Sequence, residues 1–574
     1  MSKKLGAIYT PDGHAQILTT WAIQSRTDVV LDMGVGPGVF VYQSYERLRK
    51  LGARKDTAVN QIYGAEIDSQ VFKEFTQVAK EKGLTFKNLQ NANFFEITLP
   101  KLDAIVGNPP YVRRRGMKQD NLDLIRSKTL QSNSSISEAD LSSLSDLYIY
   151  FLLSALPYLK SGGRLATIVA DSWLNTRYGV ALKKYLLSHF EINQIVGLDR
   201  SVFEDAQVKA VLLLASKKDE ESERNNFIKF ARVRNGLPIS QLSSFVINGR
   251  VKSSEDIVVK RIKSSDLDIK TPWGAILKSS TVYDDVKKNI IIKPICEIAD
   301  CQIGLETLAK DFFVLSRDSK EKGVVEEKYL KPFAYSVYDF ESPLINNSDD
   351  PSQYLFYCAD SKDELINTNV LAYILLGENN EVQVRGTGDI VVGYQNKPRI
   401  QKAKRPNWYD VKTEWDKKAV ASVLLPRFIY KDYHVLWNKA GYIPGGAVVQ
   451  FFPKTDLFNH SLDIKVFLAI LESSFTEIAF RINAQMYGGG TSNLRVSAIK
   501  ESPTIDTNLL KEEQKNRLIE AYNHYLEKKD KSKINEAIYA ILGLTKKQIQ
   551  EMNSLLLELK NITEAAKKVA HPVK

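Results

Sequence analysis

The sequence predicts an α/β protein: a doubly wound, mostly parallel sheet, then an α+β region and a C-terminal helical segment. Three observations carry this expectation. Over the first 215 residues, short apolar runs alternate with amphipathic stretches, the pattern of strands that cross to helices and back. From about residue 245 the alternation stops, and short β-branched and aromatic runs broken by turn residues replace it. After residue 505 the periodicity is helical. A chain of 574 residues is too long for one ordinary core, so domains over 1–245, 246–505 and 506–574 are expected.

Taken in order, strands are expected at 29–31, 61–63, 103–106, 164–169, 192–198 and 208–214. Helices are expected between them at 15–25, 70–80, 147–159 and 178–188. Residues 112–145 break the pattern and read as a long polar, Ser-rich loop, a feature that is usually functional or disordered. Residues 217–226 read as a charged surface turn. In the later region, strands are expected near Val314, 354–357, 390–394, 428–430 and 448–452, with one helix over 464–482.

An apolar content of 44% with 26% charged residues excludes a disordered tail, a collagen-like chain and a small disulfide scaffold. No run of about 18 apolar residues points to a membrane span, and the N-terminus lacks the apolar stretch of a secretory leader. Three cysteines, Cys296, Cys301 and Cys358, fit a reducing cytoplasm rather than a disulfide frame or zinc ribbon. Charge is uneven. Residues 1–250 hold 33 basic and 25 acidic side chains, residues 301–400 hold 10 and 16, and residues 401–500 hold 14 and 8. Two basic regions around an acidic one fit either a polyanionic partner or ordinary surface charge.

Two motifs carry chemistry. Asp32-Met33-Gly34-Val35-Gly36-Pro37-Gly38 follows the first strand. Gly34, Gly36 and Gly38 let the backbone turn tightly against a ligand at a strand's carboxyl end, where doubly wound sheets bind nucleotides. The spacing is neither a Walker loop nor the dinucleotide pattern. Glu66 ends the next strand, where an acid can bind both ribose hydroxyls. The second motif, Asn108-Pro109-Pro110-Tyr111, follows the strand at 103–106. An amide oxygen from Asn108 and the Pro109 carbonyl are two convergent acceptors, suited to both hydrogens of an exocyclic amino group. The prolines stiffen the turn, and Tyr111 offers a flat face for a base.

With these motifs the first 215 residues resemble class I (Rossmann-like) S-adenosylmethionine-dependent amino-methyltransferases. In particular they resemble DNA N6-adenine methyltransferases whose target-recognition domain comes last. The family's opening motif corresponds to Gly6-Ala7-Ile8-Tyr9-Thr10-Pro11, its cofactor loop to 32–38, its ribose acid to Glu66, and its catalytic tetrapeptide to 108–111. Asp146-Leu147-Tyr148 corresponds to an element lining the cofactor pocket, and Phe203 to a second base-stacking aromatic. Where the family has Asp-Phe, this chain has Asn93-Phe94; an Asn carbonyl accepts the same bond without charge assistance.

The resemblance implies S-adenosyl-L-methionine as cofactor, no metal, and a flipped-out adenine in double-stranded DNA as substrate. It implies roles in catalysis for Asn108, Pro109, Tyr111 and Phe203. Cofactor contacts are implied for Thr10, Asp32, Gly34, Gly36, Gly38, Glu66, Asn93 and Phe94. Arg113, Arg114 and Arg115 just beyond the turn are expected at DNA phosphates, which guanidinium forks match. The extension past residue 245 is expected to read sequence, with basic and aromatic residues interleaved at 399–408 and 427–437 and Gly-rich loops at 442–446 and 485–493. The expectation is a modification methyltransferase with a possible companion restriction endonuclease. With the motifs beginning at Gly6, a fused nuclease before them is not expected. RNA methylation, protein glutamine methylation, cytosine N4 methylation and a non-catalytic DNA-binding subunit stand as alternatives.

Overall fold

A computed structural model describes residues 10–111, 119–141, 146–176, 178–198, 210–219, 226–233, 237–250, 257–348, 351–384, 388–430, 432–454, 463–486 and 492–570. The chain forms two compact units, Met1–Lys278 and Ser279–Lys574.

Nine strands build one sheet among the described residues of the first unit: β1 (Val30–Asp32), β2 (Ile62–Ala65), β3 (Leu89–Gln90), β4 (Leu102–Gly107), β5 (Leu159–Ala170), β6 (Phe190–Gly197), β7 (Ala210–Lys217), β8 (Phe227–Val233) and β9 (Ile257–Lys263). Their order is β3-β2-β1-β4-β5-β7-β6-β8-β9. The ladder from β3 through β2, β1 and β4 to β5 is parallel, and β7 lies antiparallel between β5 and β6. Strand order reverses between β1 and β4, which pair directly (Leu31 with Ile105, Asp32 with Val106).

Alternation along the strands feeds two cores. Leu31, Ile105, Leu165 and Leu213 face one layer of helices, while Val30, Ala104, Val106, Ala166 and Leu212 face the other. The second layer holds α1 (Asp12–Ala22), α2 (Val39–Lys50), α4 (Ser69–Glu81) and α8 (Ile239–Asn248), with the short α3 (Lys55–Asn60) between α2 and β2. The first layer holds α5 (Gln119–Ser132), α6 (Leu147–Ala155) and α7 (Gly179–His189). This is the doubly wound α/β arrangement expected from the sequence.

Three expectations are corrected. Residues 119–132 form helix α5 rather than loop; its polar surface hides a narrow buried stripe of Leu122, Ile125 and Thr129. The helix expected to reach residue 159 ends at Ala155, because Pro157 removes a backbone donor and turns the chain into β5. The first unit continues past 245, which falls inside α8. Strand β9 pairs antiparallel with β8, and Trp273 is fully buried edge-on to Trp173, 5.9 Å between ring centroids.

Lys183 on α7 secures that last stretch. Its ammonium is buried and donates to the carbonyls of Leu174 and Thr271, both at 2.8 Å. Burial lowers its pKa to about 8, partly offset by Asp268.

The second unit is α+β. A five-stranded sheet runs in the order Ala299–Ile303, Val448–Pro453, Val423–Pro426, Leu436–Asn438, Leu344–Ile345. The helix expected over 464–482 is two helices, Ile464–Glu472 and Ser474–Asn483, because Ser473 leaves the helix and caps the second one at Thr476 N. The C-terminal helices Glu512–Lys528, Ser532–Ile541 and Lys546–Ala570 belong to this unit. A buried network holds them to it. Glu472 is fully buried and accepts from Tyr525 Oη at 3.0 Å and Lys531 Nζ at 2.6 Å. Glu477 pairs with Arg481 at 2.8 Å and with Lys560 at 3.4 Å. Burying carboxylates this deeply is costly unless each is met by cations and hydrogen bonds, as here.

Lys183 makes folding stability depend on pH. Below about 8 both folded and unfolded chains hold the proton, so the full cost of burying the charge is present. Above it the folded protein releases the proton while the unfolded chain keeps it up to about 10.5, so stability rises with pH in that window. The gain is at most ~3 kcal/mol. Denaturant unfolding at pH 7 and 9.5 should show this gain in the wild type relative to Lys183→Met.

Candidate functional site

The reversal point between β1 and β4 leaves a crevice at the strands' carboxyl ends, and both sequence motifs fall there. Asp32 closes β1 and is 1% exposed. Its Oδ1 accepts from Gly34 N at 3.3 Å, while its Oδ2 is buried without a hydrogen-bond partner. Burial pushes this carboxyl up to about 8, the Gly34 N–H opposing and the charge of Glu66 adding.

The glycine loop depends on its lack of side chains. Gly38 has φ +90° and begins α2; a Cβ there would stand 2.3 Å from the Phe75 ring. At Gly36, φ +51°, a Cβ would meet nothing within 4 Å, so the loop opens onto space. At Gly34 it would meet Pro110 at 3.9 Å, so the first motif lies beside the second. Glu66, at the end of β2, ties the loop down: Oε2 accepts from Gly36 N at 2.9 Å and Oε1 from Asp68 N at 2.8 Å.

On the other side of the crevice, Asn108 is half-buried and its Nδ2 donates to Thr10 Oγ1 at 3.1 Å. That bond orients the amide, placing its nitrogen toward Thr10 and its oxygen on the opposite side. Gly107, φ +137°, lets β4 run tight against Asp32; a Cβ would stand 2.9 Å from Asp32 Oδ1. Pro109 is buried. Tyr111 donates its hydroxyl to the carbonyl of Ile168 on β5 at 3.2 Å and packs edge-on to Tyr148, 6.0 Å between centroids. Burial raises its phenol well above the ordinary range. Behind it, Tyr148 contacts Ser172 at 3.0 Å, and Asp146 accepts from Tyr178 at 2.7 Å. Burial and the Asp146 carboxylate push Tyr178 up to about 12.

The structure thus brings together Thr10, Asp32, Gly34, Gly36, Gly38, Glu66, Asn108, Pro109 and Tyr111. Asn93 serves its own turn: its Oδ1 accepts from Phe95 N at 3.3 Å and caps a short 3-10 helix. Phe94 is a core residue stacked on Phe151, 4.7 Å apart and 14° from parallel. Arg113, Arg114, Arg115 and Phe203 lie outside the described residues. Sequence reasoning misses the Thr10–Asn108 bond, the Glu66 tie to Gly36 and the Ile168 anchor of Tyr111. Each joins positions far apart in the chain, and a backbone carbonyl leaves no mark in a side-chain pattern.

Fold and crevice define a class I methyltransferase architecture: a doubly wound parallel sheet with an antiparallel β7, a glycine loop after β1 and an Asn-Pro-Pro-Tyr turn after β4. Family comparison narrows this. Residues 40–203 match the Eco57I restriction-modification methylase family, and residues 276–541 match the C-terminal domain of the Type II methyltransferase M.Eco57I. These matches support a type II restriction–modification DNA methyltransferase. It is 24% identical over 540 residues to Type II methyltransferase M.AccI of Acinetobacter calcoaceticus, covering 91% of this chain and 89% of that one. It is 21% identical over 551 residues to Type II methyltransferase M.BanIII of Aneurinibacillus aneurinilyticus, covering 86% and 88%. The crystal structure of the type IIG restriction endonuclease BpuSI aligns with a TM-score of 0.47 at 14% identity, covering 99% of this chain and 66% of that one.

The loop geometry gives a direct stability test. Gly38→Ala forces a left-handed backbone on alanine and drives its methyl into Phe75, which should cost ~2–4 kcal/mol. Thermal or denaturant unfolding measures the loss, and Gly52→Ala, with a positive φ but nothing within 4 Å, should lose less.

Proposed function

We propose that this chain transfers a methyl group from S-adenosylmethionine to the N6 amino group of an adenine flipped out of duplex DNA, as the modification enzyme of a restriction–modification system. The observation that carries the reading is the Asn108 amide, set by Thr10 and flanked by Pro109, beside the glycine loop at the strand-order reversal.

The residues present fit the cofactor. Asp32 Oδ2 is a buried acceptor without a partner, and the loop at Gly36 faces open space where a ligand can approach backbone. Glu66 retains lone pairs for ribose hydroxyls while holding Gly36. Thr10, Asp32, Gly34, Gly36, Gly38 and Glu66 would hold the cofactor, with Asn93 and Phe94 bordering them. When bound, S-adenosylmethionine supplies a methyl group on a cationic sulfonium.

The chain's own residues prepare the acceptor nitrogen. An aromatic amine is a poor nucleophile because its lone pair is conjugated with the ring. Asn108 Oδ1 and the Pro109 carbonyl accept its two hydrogens and favour a pyramidal nitrogen. Extruding the base costs a few kcal/mol, and stacking on Tyr111 and Phe203 returns roughly 1–3 kcal/mol each. Tyr111 is already held at its hydroxyl and its edge, so little ordering remains when a base arrives. Arg113, Arg114 and Arg115 would contact phosphates, and the second unit would act as the target-recognition domain.

The test is to incubate the full chain with labelled S-adenosylmethionine and unmethylated DNA, digest to nucleosides and identify the labelled base. N6-methyladenine is expected; N4-methylcytosine would overturn the base assignment, and unlabelled DNA the substrate. Asn108→Ala should abolish transfer, by at least ~100-fold, and retain cofactor binding. A second expectation concerns Asp32. A cationic cofactor favours its ionised form, so binding below about 8 releases a proton, and affinity rises with pH up to that value and then levels. Calorimetry in buffers of different protonation enthalpy reads the proton, and Asp32→Asn should remove it.

A further inference from the structure

Three segments marked by the sequence as basic, aromatic or Gly-rich converge on one loop of the second unit. The loop is Gly304-Leu305-Glu306-Thr307-Leu308. Gly304 is packed so tightly that a Cβ would stand 2.4 Å from the carbonyls of Pro444 and Gly445, and Leu308 has φ +68°. Leu305 N donates to Pro444 O at 2.7 Å, so the loop is fixed against the Gly-rich segment at 442–446. Its outward group is Glu306, and arginines from two other segments meet there. Arg427 Nη1 reaches Glu306 Oε1 at 3.0 Å and Gly446 O at 2.8 Å, and Arg399 Nη2 reaches Oε2 at 3.7 Å. Arg405 lies behind, its guanidinium over the Phe313 ring and donating to the Glu306 and Thr307 carbonyls, both at 3.3 Å.

Stability does not explain this cluster. Glu306 and Arg399 are 46% and 72% exposed, and exposed pairs contribute little to folding. The buried ion pairs of the unit lie elsewhere, Glu477–Arg481 with both side chains 2% exposed and Glu472–Lys531 with the carboxylate fully buried. Phosphate binding alone does not explain it either, because a carboxylate at its centre repels a phosphate. Residues 397–405, KPRIQKAKR, carry five basic side chains and no acid, so Glu306 faces a polyanion-attracting surface. An exposed carboxylate on a fixed loop, beside two guanidinium forks of which Arg427's is tied to the Gly446 carbonyl, matches another chemistry. Arginine donates to guanine O6 and N7 in the major groove, and a carboxylate accepts from cytosine N4.

We propose that Glu306, Arg399 and Arg427 form a base-reading patch of the second unit that specifies a G·C pair of the recognition sequence, with Lys402 and Lys404 beside it at the backbone. This deepens the DNA-methyltransferase reading and rests on it for the partner. Arg405 is a positioning residue that holds the loop.

The test separates reading from catalysis. The full chain is equilibrated with a pool of random duplexes, and the bound fraction is sequenced, for wild type, Glu306→Gln, Arg399→Ala and Lys402→Ala/Lys404→Ala. The wild type should select one motif. Glu306→Gln and Arg399→Ala should lose discrimination at one G·C position by about 10-fold or more, with the other positions kept. The double lysine variant should weaken binding to all sequences alike and reduce the salt dependence. Unchanged melting curves confirm that the exposed substitutions leave the fold intact; Arg399→Lys, a milder change, should lose the same position. An identical motif in all variants, a uniform loss in the first two, or no motif in the wild type would overturn the proposal. Methyl transfer is assayed in parallel. A wild type that selects a motif shifted by Glu306→Gln but labels no DNA would contradict the transfer reading alone; labelling with an unshifted motif would contradict this proposal alone.

Discussion

The parallel ladder between β1 and β4 is the constraint on which the site depends. It sets Asp32 opposite Val106, so the two strands end side by side. The chain after β1 turns into the glycine loop, and the chain after β4 turns into the Asn-Pro-Pro-Tyr segment. Neither motif has meaning without that adjacency. A slip of one residue would also send the buried faces of both strands to the wrong helix layer. Since Leu31 and Ile105 face one core while Val30, Ala104 and Val106 face the other, the register is pinned from both sides.

Around this ladder, the crevice is ordered by bonds to backbone and by absent side chains. Glu66 fixes Gly36, Thr10 fixes the Asn108 amide, and Ile168 fixes Tyr111. These bonds form on folding, so orientation does not have to be supplied at the moment of reaction, which is where preorganised sites gain most of their rate. Gly38 and Gly107 carry the cost, each holding a positive φ where a Cβ would collide with a neighbour. Asp32, an acid buried beside the loop, is pushed by that burial toward its neutral form.

Most of the first sheet is legible in the sequence because its strands are short apolar runs bounded by glycine or polar turns. Helix α2 is not: YQSYERLRK is mostly polar, and the helix's buried positions are Phe40, Val41, Ser44 and Leu48. Helix α5 reads as loop for a similar reason. In the crevice the residue types are legible and their ties are not. Asn108 and Thr10 are 98 positions apart and Gly36 and Glu66 are 30 apart, and no local pattern reports such pairs. The second unit shows the same limit. Glu306 is an unremarked acid in the sequence, and only folding brings it to Arg427, 121 positions further along the chain. The stacking of Phe94 on Phe151 is likewise invisible to the motif that contains Phe94.

The central claim is that the loop after β1 and the turn after β4 form a single site. Hydrogen exchange of the full chain with and without S-adenosylhomocysteine, the unreactive product of the cofactor, tests it most directly. Slowed exchange in peptides spanning 32–38 and 66–68 together with 106–111 is the result the account predicts. Slowing confined to one of these regions, or found only beyond residue 278, would contradict it.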